Sequence, residues 1–575
     1  MKTCIPIISY KNWLGHLNLR YGILYILLCC LDLKVFAQEQ VVLPRLSGEI
    51  IFDGQPNETA WKGIEPLPLV TIIPEFGKEP SEKTEILLGY DDDYLYLAGR
   101  LYTDDPSTIL ATSKKRDLFS GNNDWFGLII DSFNDKENGL GFFTTPEGIR
   151  LDLTVFNDAQ GDLPLNPSWN TFWDVKSIRN GQGWFSEMRI PFSSLRFQEK
   201  NGEVVMGIIT WRFMAKHNEI AIYPAIPYNW GPWSGWKPSQ AQEVVFKDLR
   251  AKKPVYLAPY TLGGFEQTND LDETNSNYLR DDDLVAEAGL DFKYGLTNNL
   301  TLDVTVNTDF AQVEADDQQI NLTRFSLFFP EKRLFFQERS STFDFNLGGP
   351  NQLFYSRKIG IYEEELVRIY GGVRLVGRTG PWDIGFLNMQ TEAIDQLPST
   401  NWGVFRARKQ VFNENSYIGG IITNKVNKEE YNTAYGLDGI FRLFGQDFLR
   451  MSWAQTFEDS IQNRNFDNWR FRVNWEKRSI KGFGYNFSFS GAGEDYDPEM
   501  GFELREDYLR LGNQIWWGWV MGENSKILNH QALIQGSVFR KNSDGSIQSG
   551  EIGPAYRLNF KNNSFMSLSV NRFYE

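Results

Sequence analysis

Residues 469–490 decide the fold: Trp469-Arg470-Phe471-Arg472-Val473-Asn474-Trp475-Glu476, then Phe483-Gly484-Tyr485-Asn486-Phe487-Ser488-Phe489-Ser490. In both runs every second residue is aromatic or aliphatic, and those between are charged, amide, hydroxyl or glycine. A period of two puts all the apolar groups on one face of an extended strand and all the polar groups on the other. The same pattern recurs upstream. Ala286, Ala288, Leu290, Phe292 and Tyr294 alternate with Glu287, Gly289, Asp291 and Lys293. After a turn at 297–299, Leu300, Leu302, Val304 and Val306 alternate with Thr301, Asp303, Thr305 and Asn307. Near the end, Tyr556, Leu558 and Phe560 precede a turn at 561–564, followed by Met566, Leu568 and Val570.

One apolar and one polar face fits two structures. A soluble sheet packs the apolar face inward; a membrane barrel turns it to lipid and keeps polar groups in its lumen. Three features favour the barrel. The segments are about 9–11 residues long, the span of a tilted membrane strand. The connections are brief on one side and longer on the other, as at 340–351 and 494–505. Trp382, Trp402, Trp453, Trp517 and Trp519 stand at strand ends, where aromatic girdles belong. The pattern predicts a closed antiparallel barrel, which leaves no strand edge unpaired.

The rest of the chain agrees. At 575 residues it is too long for one ordinary domain, and a 41% hydrophobic share excludes a disordered chain. No stretch beyond the N-terminus reaches the ~18 apolar residues of a spanning helix. Residues 1–37 read as an export signal: Lys2, Lys11 and Arg20, then an apolar run from Ile23 to Leu31, then Val35-Phe36-Ala37 before Gln38. All three cysteines, Cys4, Cys29 and Cys30, lie inside it, so the exported chain holds no disulfide and no thiolate chemistry. The formal net charge is −16, and losing the signal makes the chain more acidic still. Nucleic-acid binding, which needs a basic footprint, is excluded as the partner class.

From Gln38 to about Arg250 the strand-like runs are short and broken by Pro, Gly and Asp/Asn, as in Glu85–Gly89, Trp125–Asp131 and Trp184–Ile190. That spacing predicts a β-sandwich. The expected organisation is a signal at 1–37, a sandwich at 38–250 and a barrel at 251–575. The fold class is all-β.

Two blocks carry a family resemblance. Phe52-Asp53-Gly54, Trp61, Gly89–Tyr96, Asn123-Asp124-Trp125, Phe142–Gly148 with Asp152, and Trp184–Ile190 together resemble a family 9 carbohydrate-binding module. Asn307-Thr308-Asp309-Phe310-Ala311-Gln312-Val313-Glu314-Ala315-Asp316, then Asn321–Phe325, Phe328–Phe336 and Phe354–Gly360, resemble the barrel family of unknown function DUF5916, found behind such modules in Bacteroidota-like bacteria. Thr308 and Leu334 each depart from that family's usual residue. The resemblance implies an outer-membrane protein with an exported carbohydrate-binding domain, contacting a carbohydrate ligand and outer-membrane lipid. Family members run longer, and Phe573-Tyr574-Glu575 lacks the aromatic last residue of many outer-membrane barrels, so a truncated chain is expected.

Sugar binding needs an aromatic face and a few planar polar groups. Trp169, Trp173, Trp230 and Trp233 stand in loop-like segments and are the candidate carbohydrate platforms, with Trp125 and Trp236 behind them. The competing reading packs them under loops or against the barrel rim. Trp61 and Trp184 read as core. Clustered carboxylates at Asp91–Asp93, Asp104-Asp105, Asp281–Asp283 and Asp316-Asp317 leave Ca²⁺ open as a cofactor, with no site assigned. The charge-dense segment Asp309–Arg339 interrupts the alternation and reads either as a plug inside the barrel or as a solvated loop. No HExxH, G-x-S-x-G or phosphate-loop motif occurs. The expected function is glycan binding or uptake at the outer membrane. A membrane-tethered glycoside hydrolase and a structural role are the rivals; no catalytic pair stands out.

Overall fold

The computed structural model describes residues 39–575 except 162–163, 250–254, 272–276, 298, 309–319, 322–324, 338, 363–364, 395–396 and 460–465. The export segment, most of the Asn307–Asp316 motif and the Asp316-Asp317 run fall outside the described residues.

Residues 41–247 form two sheets packed face to face. The larger is ten-stranded, with Glu203–Met214 and Trp125–Asp131 at its centre. The smaller has four strands in the order Thr84–Tyr90, Tyr94–Tyr102, Gly183–Pro191 and Asp174–Asn180. Ile86, Leu88, Leu97, Trp184 and Met188 from the small sheet meet Phe126, Leu128, Phe142, Met206 and Phe246 from the large one. The large sheet is covered on its other face too, by the segment Tyr228–Trp236. That double covering is why every residue of Trp125–Asp131 is buried and why its sequence shows no alternation.

Residues 255–574 form one antiparallel sheet of sixteen strands, each paired with its sequence neighbour from Val255–Leu271 to Phe565–Ser569. The faces divide as the alternation predicts, and in the sense a bilayer demands. Arg470, Asn474 and Ser490 are buried; Trp475, Phe483, Phe487 and Phe489 on the same two strands are exposed. A buried arginine face beside an exposed aromatic face inverts the arrangement of a soluble sheet. Trp382, Trp453, Trp517 and Trp519 are exposed as expected of a girdle. Trp402 is not: it points inward and donates from Nε1 to Thr391 Oγ1 at 3.2 Å.

The pairing seen among the described residues leaves two edges. Among the described residues, Val255–Leu271 is one edge, and Phe565–Ser569 and Arg572–Tyr574, both paired to Ile547–Phe560, form the other. Alternation determines which face of a strand is apolar, but carries no information on whether the first strand meets the last.

The connections 296–299, 380–381, 411–416, 445–446, 478–481, 521–526 and 561–564 share one end of this sheet; the other end carries the excursions 307–368 and 493–507 together with the shorter 392–400, 427–430 and 542–546. The sandwich meets the short-turn end. Trp230 Nε1 donates to Gln446 Oε1 at 3.2 Å. The Ile480 amide donates to Asn229 O at 2.8 Å. Asp135 and Glu137, on a sandwich hairpin loop, lie 3.6 Å from Arg378 and 3.4 Å from Arg408. Lys78 meets Glu523 at 3.1 Å.

Candidate functional site

The four tryptophans picked out as platforms fall into two pairs. Trp169 and Trp173, 6% and 2% exposed, lie in the core between the two sheets, each edge-on to Phe142. Their loop is clamped from below: Asp152 accepts from the Thr171 amide at 2.7 Å and pairs with Arg116 at 2.5 Å, turning the rings inward. Trp230 and Trp233 are half-buried against Ile480, Val520 and Leu528 of the barrel turns. Trp169 and Trp173 thus present no open ring face, whereas Trp230 and Trp233 stay partly exposed. A loop-like sequence does not reveal what packs over the loop. Trp125 is stacked beneath Phe119, Trp236 is buried, and Trp61 and Trp184 are core as expected.

The acidic run Asp91–Asp93 is a turn: Asp91 Oδ1 accepts from the amides of Asp93 and Tyr94, both at 2.7 Å. Two other groups, Asp53 with Glu58 and Glu187, and Glu458 with Asp497 and Glu499, bring carboxylate oxygens within 4.8 Å and could hold a cation. In the first, Glu187 already accepts from the amides of Asp53 and Gly54 and from Trp61 Nε1. Burial, then the neighbouring Glu58, pushes the Glu187 carboxyl up to about 7 despite those donors.

Inside the large sheet runs a plug, residues 325–362 as described. Phe343 and Phe345 seat where the wall has glycine: a Cβ on Gly385 would come within 2.8 Å of the Phe343 ring, and one on Gly436 within 2.4 Å of Phe345. Two motif blocks brace each other there. Arg333 is held by Glu331 at 2.8 Å and donates to the carbonyls of Ser356 and Ile359, both at 2.8 Å. The paired charges expected for this segment are thus observed at Glu331–Arg333. At the far end, the Arg339 guanidinium sits 4.1 Å from the centre of the sandwich's Phe133 ring.

Between plug and wall lies a cavity of about 550 Å³. Its floor is open because the inward positions of three consecutive strands are small: Ser488 and Ser490, Gly512, and Ser537. Register sets two rows across it. One reads Arg472, Ser490, Arg510, Phe539; the next reads Asn474, Ser488, Gly512, Ser537, Glu551. Leu347–Asn351 of the plug form the opposite side, with Phe325 and Arg505. Asn474 Oδ1 is buried with no hydrogen-bond partner among the described residues. Arg470 is neutralised by Glu503 at 2.8 Å and also donates to Leu347 O at 2.9 Å. The Arg505 guanidinium lies 4.1 Å from the Phe539 ring centre. Amides, hydroxyls and guanidinia beside an aromatic ring form a lining that can hydrogen-bond a hydroxyl-rich solute.

Residues 255–369 match the family model for the domain of unknown function DUF5916. No curated protein matches the chain. The chain is similar to several solved structures. A carbohydrate-binding module family 9 protein from Caldicellulosiruptor kristjanssonii, in complex with cellotriose, has 17% identity, covers 36% of this chain and 94% of its own, with TM-score 0.24. Pseudomonas aeruginosa OccK7 (OpdD) has 7% identity, 78% and 92% coverage, and TM-score 0.25. The outer membrane protein opdK from Pseudomonas aeruginosa has 8% identity, 78% and 92% coverage, and TM-score 0.24.

The DUF5916 match takes in the first three strands of the large sheet and the whole plug. The cavity is therefore walled on one side by the DUF5916 segment and on the other by strands beyond it. Sequence reasoning had the inward face of those later strands but not the cavity. The available signal was serine or glycine at inward positions of three strands running, flanked by arginine.

Proposed function

We propose that the protein is an outer-membrane β-barrel that binds a saccharide in its lumen, with the plug forming one wall of the site and the sandwich seated at the periplasmic end. The observation that carries this is the cavity over Ser488, Ser490, Gly512 and Ser537, rimmed by Asn474, Asn486, Gln514 and Phe539. Planar amides that donate and accept, together with a ring face, suit a sugar's hydroxyls and its apolar C–H face. The unpartnered Asn474 oxygen is a buried acceptor that a ligand hydroxyl would satisfy. The exposed aromatic and aliphatic face supports the bilayer as the surrounding solvent. Outer-membrane barrels keep their short turns on the periplasmic side, which supports placing the sandwich there.

The test is calorimetric titration of the full-length protein in detergent micelles with a panel of neutral and acidic oligosaccharides, repeated on Asn474→Ala with Asn486→Ala. Saturable binding lost in the variant supports the lumenal site. Binding that survives in this variant but vanishes on replacing Trp169, Trp173, Trp230 and Trp233 returns the site to the sandwich. No binding by the full-length protein refutes the reading.

A further inference from the structure

We infer that the lumenal cavity selects an acidic saccharide, one bearing carboxylate or sulfate groups, and that Arg472 and Arg510 are the residues that hold its charge. The inference rests on the saccharide reading of the same cavity and names the class of ligand.

The register places the two arginines in one row. Arg472 pairs with Ser490, and Ser490 pairs with Arg510. Neighbouring strands stand ~4.8 Å apart, so the two backbones are ~10 Å apart with a short serine between them. Two guanidinia on either side of a serine can converge on one anion above it, each through paired N–H groups. Arg472 spends one donor on Asn346 Oδ1 of the plug, at 2.6 Å. Arg510 rests beside the Phe539 ring, 5.5 Å from its centre. Neither forms a salt bridge among the described residues.

Among the described lining residues, arginines outnumber carboxylates. The lining carries Arg470, Arg472, Arg505 and Arg510. Glu503 neutralises Arg470. Among the described lining residues Glu551 is the carboxylate that remains, and it stands across from Ser537 in the neighbouring row, not in the arginine row. A surplus of arginines facing a polar cavity raises the local concentration of anions there.

The test uses the full-length protein in micelles and three probes: trigalacturonate, a sulfated chondroitin disaccharide, and neutral maltotriose. Trigalacturonate or the sulfated sugar is expected to bind about tenfold or more tightly than maltotriose at low salt, with the preference shrinking as salt is added. The Arg472→Gln, Arg510→Gln double variant should lose that preference. The double lysine variant should keep most of it, which a merely structural arginine pair would not predict. Heat-modifiable migration on gels checks that each variant is folded. The two acidic probes separate carboxylate from sulfate recognition. Equal or tighter binding of maltotriose overturns the inference and leaves the saccharide reading standing. A preference unchanged in the glutamine variant overturns the assignment to Arg472 and Arg510. Binding of none of the three removes the saccharide reading and the inference with it.

Discussion

Replacing Phe405 with arginine tests the surface that defines this protein. Phe405 is 46% exposed and lies midway along the strand Asn401–Gln410, in a row with Phe386 and Ile422, both also exposed. On a soluble sheet, exchanging an exposed phenylalanine for arginine is nearly neutral or favourable. In a bilayer the outcome differs. At ~3.4 Å per residue and a ~40° tilt, Phe405 sits ~13 Å above the short-turn rim, close to the middle of a ~25 Å apolar band. Arginine on the lipid face at that depth costs about 2–4 kcal/mol. At 1.4 kcal/mol per tenfold, that lowers the folding equilibrium about 30- to 700-fold. Lys409, farther along the same strand and nearer the rim, is the internal control, where exchange for arginine should change little. The assay is equilibrium refolding into lipid vesicles, followed by tryptophan emission. Phe405→Arg within about 0.5 kcal/mol of the parent would refute the lipid-facing assignment of the sheet's apolar face.

Four further outcomes are expected. Glu137→Gln removes one partner of the contact with Arg408, which is almost wholly buried; hydrogen exchange across 131–138 should quicken by at least tenfold, and unchanged exchange argues against the hairpin loop as a clasp between sandwich and barrel. Glu187 is raised above its unfolded value of ~4.3, so folding stability is fully present below that value, falls as the pH rises toward about 7, and is flat above it; Glu187→Gln should flatten this slope in full-length melting curves, and a parent that gains stability from pH 5 to 7 contradicts the assignment. Deleting residues 326–362 should raise single-channel conductance in planar bilayers; an unchanged conductance says that the plug does not limit passage. Phe345→Ala empties a fully buried ring seat over Gly436 and should lower stability by about 3–5 kcal/mol in vesicle refolding, whereas a loss below 1 kcal/mol would mean the plug is not anchored there.

Several features were legible before any fold was in hand, and for a definable reason. The alternation at 469–490 predicts the inward and outward faces because strand geometry makes side-chain direction a matter of parity. Arg470, Asn474 and Ser490 are buried and Trp475 and Phe487 exposed accordingly. The break in that parity at Asp309–Arg339 was legible, but read equally as a plug or a solvated loop; in its described part Glu331 pairs with Arg333. Trp169 and Trp173 read as loop residues yet are buried, because exposure depends on what lies above a loop. Trp169 and Trp173 are drawn inward by Asp152, and Trp230 is covered by turns more than two hundred residues away in the chain. Trp402 stands on the inward side of its strand for the same reason of parity that puts Phe405 outward, a sign its neighbours already carried.

Taken alone, the sequence determined the local grammar: strands, their two faces, the solvent each face demands, and the class of fold that follows. These depend on neighbours two residues apart. Only the tertiary structure decided which end of the large sheet carries the sandwich, that its edge strands stay unpaired among the described residues, and that Arg472 and Arg510 flank Ser490 in register beside a cavity. Those outcomes depend on the register between strands and on packing between segments far apart in the chain, and neither is written in the spacing of residues along it.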